Sequence, residues 1–144
     1  MPTHSSSTPT LPGYEISTDP ARFDLDLIHR FLSTSYWAEG RPREVIERSI
    51  RHSLCFGVYA EGTQVAFARV ITDHAVFAYL ADVFVVPERR GRGIATGLMQ
   101  AILAHPELQG LQVFLLRTRD AQGLYARFGF EPIARPEEMM GRNS

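Results

Sequence analysis

Between Ala75 and Arg117 the sequence alternates in a way that only an α/β arrangement satisfies. The run Ala75 to Val86 is apolar and rich in β-branched and aromatic residues, and Pro87 ends it, as expected of a strand that loses its next ladder donor at a proline. Gly91 to Ala104 follows, with Ile94, Leu98, Ile102 and Leu103 on one helical stripe that His105-Pro106 stops. A second strand, Leu111 to Arg117, comes at crossover distance. Strand, glycine-rich turn, helix and strand therefore form a crossover unit around which the rest is built.

Upstream, Gly13 to Ser17 reads as a short first strand, and Asp19-Pro20 opens a helix with Phe23, Leu27, Ile28, Phe31 and Leu32 on its apolar face. Gly40 breaks that pattern and Pro42 restarts a helix bearing Val45, Ile46, Ser49 and Ile50. Two helices thus flank an aromatic loop, Tyr36-Trp37. Leu54 to Ala60 and Gln64 to Thr72 are strands about the turn Glu61-Gly62-Thr63, and with the strand from Ala75 they make an antiparallel meander. Near the C-terminus Asp120 is expected to cap a short helix through Tyr125 to Phe128, and Gly129 to Ala134 to form a final strand. The expected fold class is α/β with a mixed central sheet in the order β-α-α-β-β-β-α-β-α-β. A length of 144 residues suits one domain, read as 13–144. Residues 1–12, rich in Ser, Thr and Pro without an apolar core, are expected to be a disordered tail.

Composition removes several function classes. The net charge is −1 and the basic residues are scattered, except for Arg89, Arg90 and Arg92, so no nucleic-acid or membrane surface is expected. All 15 basic residues are arginine, which excludes Schiff-base and Walker-lysine chemistry. The single cysteine, Cys55, lies in an apolar strand; no disulfide framework is possible, and a reducing cytoplasm is the expected compartment. His29, His52, His74 and His105 sit on separate elements without ligand spacing, so no metal site is expected.

The strand-to-helix turn carries the chemistry. Gly91, Gly93 and Ala95 leave the backbone accessible where amides and helix dipole converge, an arrangement suited to a pyrophosphate. A Walker loop would require a Gly-Lys-Ser/Thr ending, and no lysine exists. A dinucleotide fingerprint would place Gly or Ala where Thr96 stands.

Arg90-Gly91-Arg92-Gly93-Ile94-Ala95, after Val85 and Pro87, resembles the acyl-CoA-binding motif of the GNAT superfamily of N-acetyltransferases, Gln/Arg-x-x-Gly-x-Gly/Ala after Val-x-Pro. The resemblance implies that Arg90, Gly91, Arg92, Gly93, Ile94, Ala95 and Thr96 hold the CoA pyrophosphate. It also implies that the strand at Val83, Phe84 and Val85 splays from its neighbour to pair with pantetheine, an amide at Val85 binding the thioester oxygen. Asp120-Ala121-Gln122-Gly123-Leu124-Tyr125, followed by Gly129-Phe130, is similar to the family's second signature, in which the helix tyrosine, here Tyr125, protonates the departing thiolate. Thr118 stands where many members carry a cofactor-contacting Asn, which leaves open whether Thr118 or Arg119 touches CoA.

The implied activity is transfer of an acetyl group from acetyl-CoA, as co-substrate, to the primary amine of a small molecule by direct attack in a ternary complex. A silent CoA-binding regulatory module and a protein or peptide acetyltransferase are the alternatives, and a homodimer is compatible with the family. The acceptor is expected in a cleft bordered by Tyr36, Trp37 and Glu39, with Trp37 and Glu39 suited to a protonated amine. Many relatives place a glutamate base where this chain has Ala81. Strand alternation sends Asp82 to the other face unless a bulge re-aims it. Deprotonation is therefore expected through water, helped by Glu39 or Asp82, or by selection of the neutral amine.

Overall fold

Residues 11–143 are described by a computed structural model of the chain. The expected tail falls outside the described residues for positions 1–10. At Leu11 the chain already packs on the core, its side chain lying against Gly97.

The elements are β1 (Glu15–Ser17), α1 (Leu25–Ser33), α2 (Arg43–Arg51), β2 (Leu54–Ala60), β3 (Thr63–Thr72), β4 (Phe77–Val85), α3 (Ile94–Ala104), β5 (Val113–Leu116) and α4 (Gln122–Ala126). The helix expected from Pro20 divides in two. Asp19 caps a single 3₁₀ turn at Pro20–Arg22, and Asp24 then accepts from the Leu27 amide at 3.0 Å to start α1. Two aspartates at cap positions start two turns.

The five strands lie in chain order, β1 to β4 antiparallel and β5 parallel to β4. Directly opposed residues share a face, so Gly57, Phe67 and Phe84 line one side, where Phe31 of α1 stacks on Phe84 at 4.2 Å. Ile28, Leu32, Ile46 and Ile50 of α1 and α2 are buried in the core. Phe56 and Ala68 line the other side, toward α3, whose Leu98, Met99 and Ile102 are buried. A fully buried Leu or Ile contributes about 1.5–3 kcal/mol, so both layers add to stability.

The final strand does not form. Phe130 donates its amide back to the Tyr125 carbonyl at 3.2 Å and sets its ring edge-on to Phe114. Pro132 lacks a donor, and no backbone group from 131 to 134 pairs with the free edge of β5.

Candidate active site

Pairing of β4 with β5 runs from Phe77↔Val113 to Leu80↔Leu116 and ends there, while β4 continues to Val85 paired with β3 only. The Val86 amide donates to Val65 of β3 at 2.9 Å. Since amides alternate along a strand, the Val85 N–H and C=O point to the opposite, open edge. Arg90 already uses that edge, its Nε donating to the Val85 carbonyl at 3.0 Å. Val83 also lines the gap. The ring of Phe84 is buried between Phe31 and Phe67.

Beyond Pro87, Gly91 and Gly93 have φ of 78° and 79°, left-handed values that glycine adopts freely. Gly93 is the N-cap of α3 and supplies no side-chain cap. Among the described residues, no amide from Gly91 to Thr96 donates to a protein acceptor; the first helical bond of this turn is Gly97 N–H to the Gly93 carbonyl at 3.0 Å. Arg90 and Arg92 are exposed beside these donors, and Arg127 reaches the Thr96 hydroxyl at 2.9 Å. Ile94 anchors the turn by burying its side chain. The result is a row of free N–H groups at a helix start, edged with cations, an arrangement whose field favours an anion.

A cleft of 840 Å³ opens between the splayed strands and the aromatic loop, lined among others by Tyr36, Trp37, Asp82, Val83 and Tyr125. Tyr125 is buried on α4, and burial, with Tyr36 and Asp120 nearby, raises its phenol above the ordinary tyrosine value. It therefore holds its proton throughout neutral pH.

Asp82 sits in a β-bulge. Phe67 faces Phe84 and Arg69 faces Ala81, so Asp82 and Val83 together oppose Ala68, and Asp82 has a φ of 55°. The extra residue turns its carboxylate toward the α1–α2 loop. Oδ1 accepts from Trp37 Nε1 at 2.9 Å, and Oδ2 from Arg41 at 3.0 Å and Arg69 Nε at 2.8 Å. Three donors fill most of a carboxylate's acceptor positions, so Asp82 organises the cleft floor. Glu39 is exposed and does not line the cleft. Arg69 carried a usable sequence signal, a charge in the middle of the apolar β3 run, yet sequence reasoning did not select it.

The Thr118 Oγ1 accepts from the Ala121 amide at 3.0 Å, closing the turn that leads into α4. Asp120 is not the cap expected from the sequence: Ala121 is the N-cap and α4 starts without a side-chain cap. Asp120 instead lines the cleft. The Arg119 amide donates to the Tyr36 hydroxyl at 3.3 Å, and its guanidinium lies 3.7 Å from the centre of the Tyr36 ring. Among the described residues no cluster of His, Cys, Asp and Glu comes together as a metal-binding group.

The family model for the acetyltransferase (GNAT) domain matches residues 51–132. A Gibberella zeae protein named "Putative acetyltransferase" is 32% identical over 137 residues, covering 79% of this chain and 76% of that protein. A crystal structure of a GNAT-family protein from Xanthomonas campestris pv. campestris is 54% identical, with a TM-score of 0.90 over 94% of this chain and 96% of that one. A predicted acetyltransferase from Clostridium acetobutylicum, solved with acetyl-CoA, shares the fold at a TM-score of 0.65 and 16% identity, over 90% of this chain and 94% of that one. The matched span runs from the end of α2 through the meander, the amide-rich turn and the Tyr125 helix, and on that span the chain belongs to the GNAT family of acetyltransferases.

Proposed function

We propose that the protein transfers an acetyl group from acetyl-CoA to the primary amine of a small molecule, by direct attack within a ternary complex. The observation that carries this reading is the open edge of β4, which runs from Val83, on the cleft wall with Tyr125, past Val85 toward the turn with the free amides of Gly91 to Thr96. Acetyl-CoA supplies the activated acyl group. The residues present suit it: the amide row matches a pyrophosphate, and the open β4 edge matches an extended amide chain that adds as a strand would. The fold neighbour solved with acetyl-CoA supports the same choice.

In this reading the Val85 N–H stabilises negative charge as it gathers on the carbonyl oxygen. Tyr125 gives its proton to the departing sulfur. Position 81 is alanine and Asp82 is engaged by Trp37, Arg41 and Arg69, so the amine reacts in its neutral form or loses its proton to water. A cleft of 840 Å³ falls in the range of small-molecule sites, about 300–1,000 Å³, which favours a small acceptor. The free, buried Cys55 suits a reducing cytoplasm.

Tyr125→Phe tests the assignment. The expected result is a fall in kcat of ~10² to 10⁴ with a smaller change in the KM for acetyl-CoA, read by thiol release. Full turnover by a folded Tyr125→Phe protein would return this tyrosine to a packing role.

A further inference from the structure

The acceptor side of the cleft carries a charge that the transfer reaction itself does not require. Arg41, Arg69, Arg117 and Arg119 line it, against the carboxylates Asp82 and Asp120. Arginine stays protonated at any working pH, so four cations face two anions and the wall holds two positive charges in excess. The phosphate-binding turn does not account for them. None of residues 90–96 lines this cleft, and that turn has its own Arg90, Arg92 and Arg127.

The cluster around Asp82 shows which cation is available. Arg69 is committed, with Nε on Asp82 at 2.8 Å and a further nitrogen on Ser53 Oγ at 3.2 Å, and its side chain is only 11% exposed. Arg41 meets the same carboxylate oxygen through one nitrogen at 3.0 Å and has no other protein acceptor among the described residues. Its side chain is 24% exposed. One nitrogen of the guanidinium is therefore held by a buried aspartate and its remaining N–H donors are free at the cleft wall. A planar guanidinium held in this way has lost its mobility before binding, and its free donors match the two oxygens of a carboxylate. Arg117, exposed and without a protein acceptor among the described residues, adds to the field at the rim.

We infer that the acceptor is an amine that also carries a carboxylate, and that Arg41 binds that carboxylate. The inference rests on the acetyl-transfer reading above and names the substrate class of the same site. A purely cationic amine would enter a cleft of its own sign, whereas an amino acid or related amino carboxylate brings the complementary charge. The acid group is unchanged in the reaction: the C–N bond forms as the C–S bond breaks, the amine gives up one proton and the sulfur takes up one.

The test is a matched panel with purified enzyme and acetyl-CoA: amino carboxylates, the same molecules as carboxamides, the corresponding amines without an acid group, and aminophosphonates. Charge-assisted contacts predict kcat/KM about 10- to 100-fold higher for a carboxylate than for its carboxamide. Arg41→Gln is expected to shrink that ratio to within about twofold. Arg117→Gln, at an exposed position, is expected to lower the same ratio, and it keeps the test valid if Arg41→Gln fails to fold. A ratio near one in the wild type, or a preference for carboxamides, plain amines or phosphonates, overturns the inference while leaving acetyl transfer standing. If no member of the panel releases thiol although acetyl-CoA binds by calorimetry, the acetyl-transfer reading falls. Calorimetric titration of the enzyme–CoA complex with carboxylate and carboxamide then decides the acceptor inference, with equal affinities overturning it.

Discussion

Asp82 occupies a left-handed backbone conformation with a φ of 55°, a region that aspartate tolerates better than most residues but that still carries strain. Three donors hold it there: the Trp37 indole and the guanidinium groups of Arg41 and Arg69. Its side chain is 2% exposed, so removing the carboxylate would leave two guanidinium groups without their counter-charge at the cleft floor. Asp82→Ala is expected to cost roughly 3–5 kcal/mol, the range for breaking a buried ion pair from one side, measured by urea unfolding at neutral pH. A loss below about 1 kcal/mol would mean that solvent replaces the carboxylate with little penalty and that the cluster is weaker than its geometry. Residue types alone mark Asp82 and Trp37 as candidates for the acceptor side, but not their bond to each other. That bond depends on one inserted residue in β4 opposite Ala68, and strict alternation cannot foresee it. Glu39 shows the opposite case: a charge on the right loop that faces solvent.

At the scale of elements, the passage from β4 to α3 is where sequence and structure agree most closely, because glycine and proline act through backbone geometry that composition fixes directly. An added Cβ at Gly93 meets nothing within 4 Å, yet its φ of 79° is left-handed. Space and backbone therefore make separable predictions. Gly93→Ala should cost about 1–2 kcal/mol through strain alone while still binding acetyl-CoA. Gly93→Glu should weaken that binding roughly 100-fold or more, since it sets a carboxylate against the bound phosphates. Calorimetry with both variants checks this, and equal affinities for folded Gly93→Glu and Gly93→Ala would remove the turn from the cofactor site. The final strand was not legible in the same way. Gly129-Phe130-Glu131-Pro132 has strand-like composition, but whether a segment pairs depends on a free edge and on competing contacts. Here Phe130 is drawn onto Phe114 and Tyr125, the latter ring at 6.2 Å. The start of α1 was missed for a local reason: Asp19 and Asp24 are both good caps, and one apolar stripe runs across the break between them.

The whole molecule titrates unusually because it has no lysine. Its 15 basic residues are all arginine, so the side chains whose reference values lie between about 8 and 11 are one cysteine and five tyrosines. Two of them are held in the protonated form by the fold. Burial between β2 and α2 pushes the Cys55 thiol up to about 12, and burial likewise pushes Tyr59 to about 12, its hydroxyl donating to the Arg22 carbonyl at 3.0 Å. In the unfolded chain these groups lose their protons near about 8.5 and 10, before the folded protein does. Each therefore contributes stability that is complete below the unfolded value and is lost as the pH climbs toward the folded one. Unfolding free energy should hold steady up to about pH 8.5 and then fall, with a limiting slope of about 1.4 kcal/mol per pH unit from Cys55 alone. Cys55→Ala is expected to be less stable at pH 8 through lost packing but to show a shallower decline, with the onset moved toward the tyrosine range. Urea unfolding of both proteins at several pH values from 8 to 11 reads the difference. Parallel declines would show that Cys55 ionises as freely in the fold as in the unfolded chain, and that the strand burying it opens to solvent at alkaline pH.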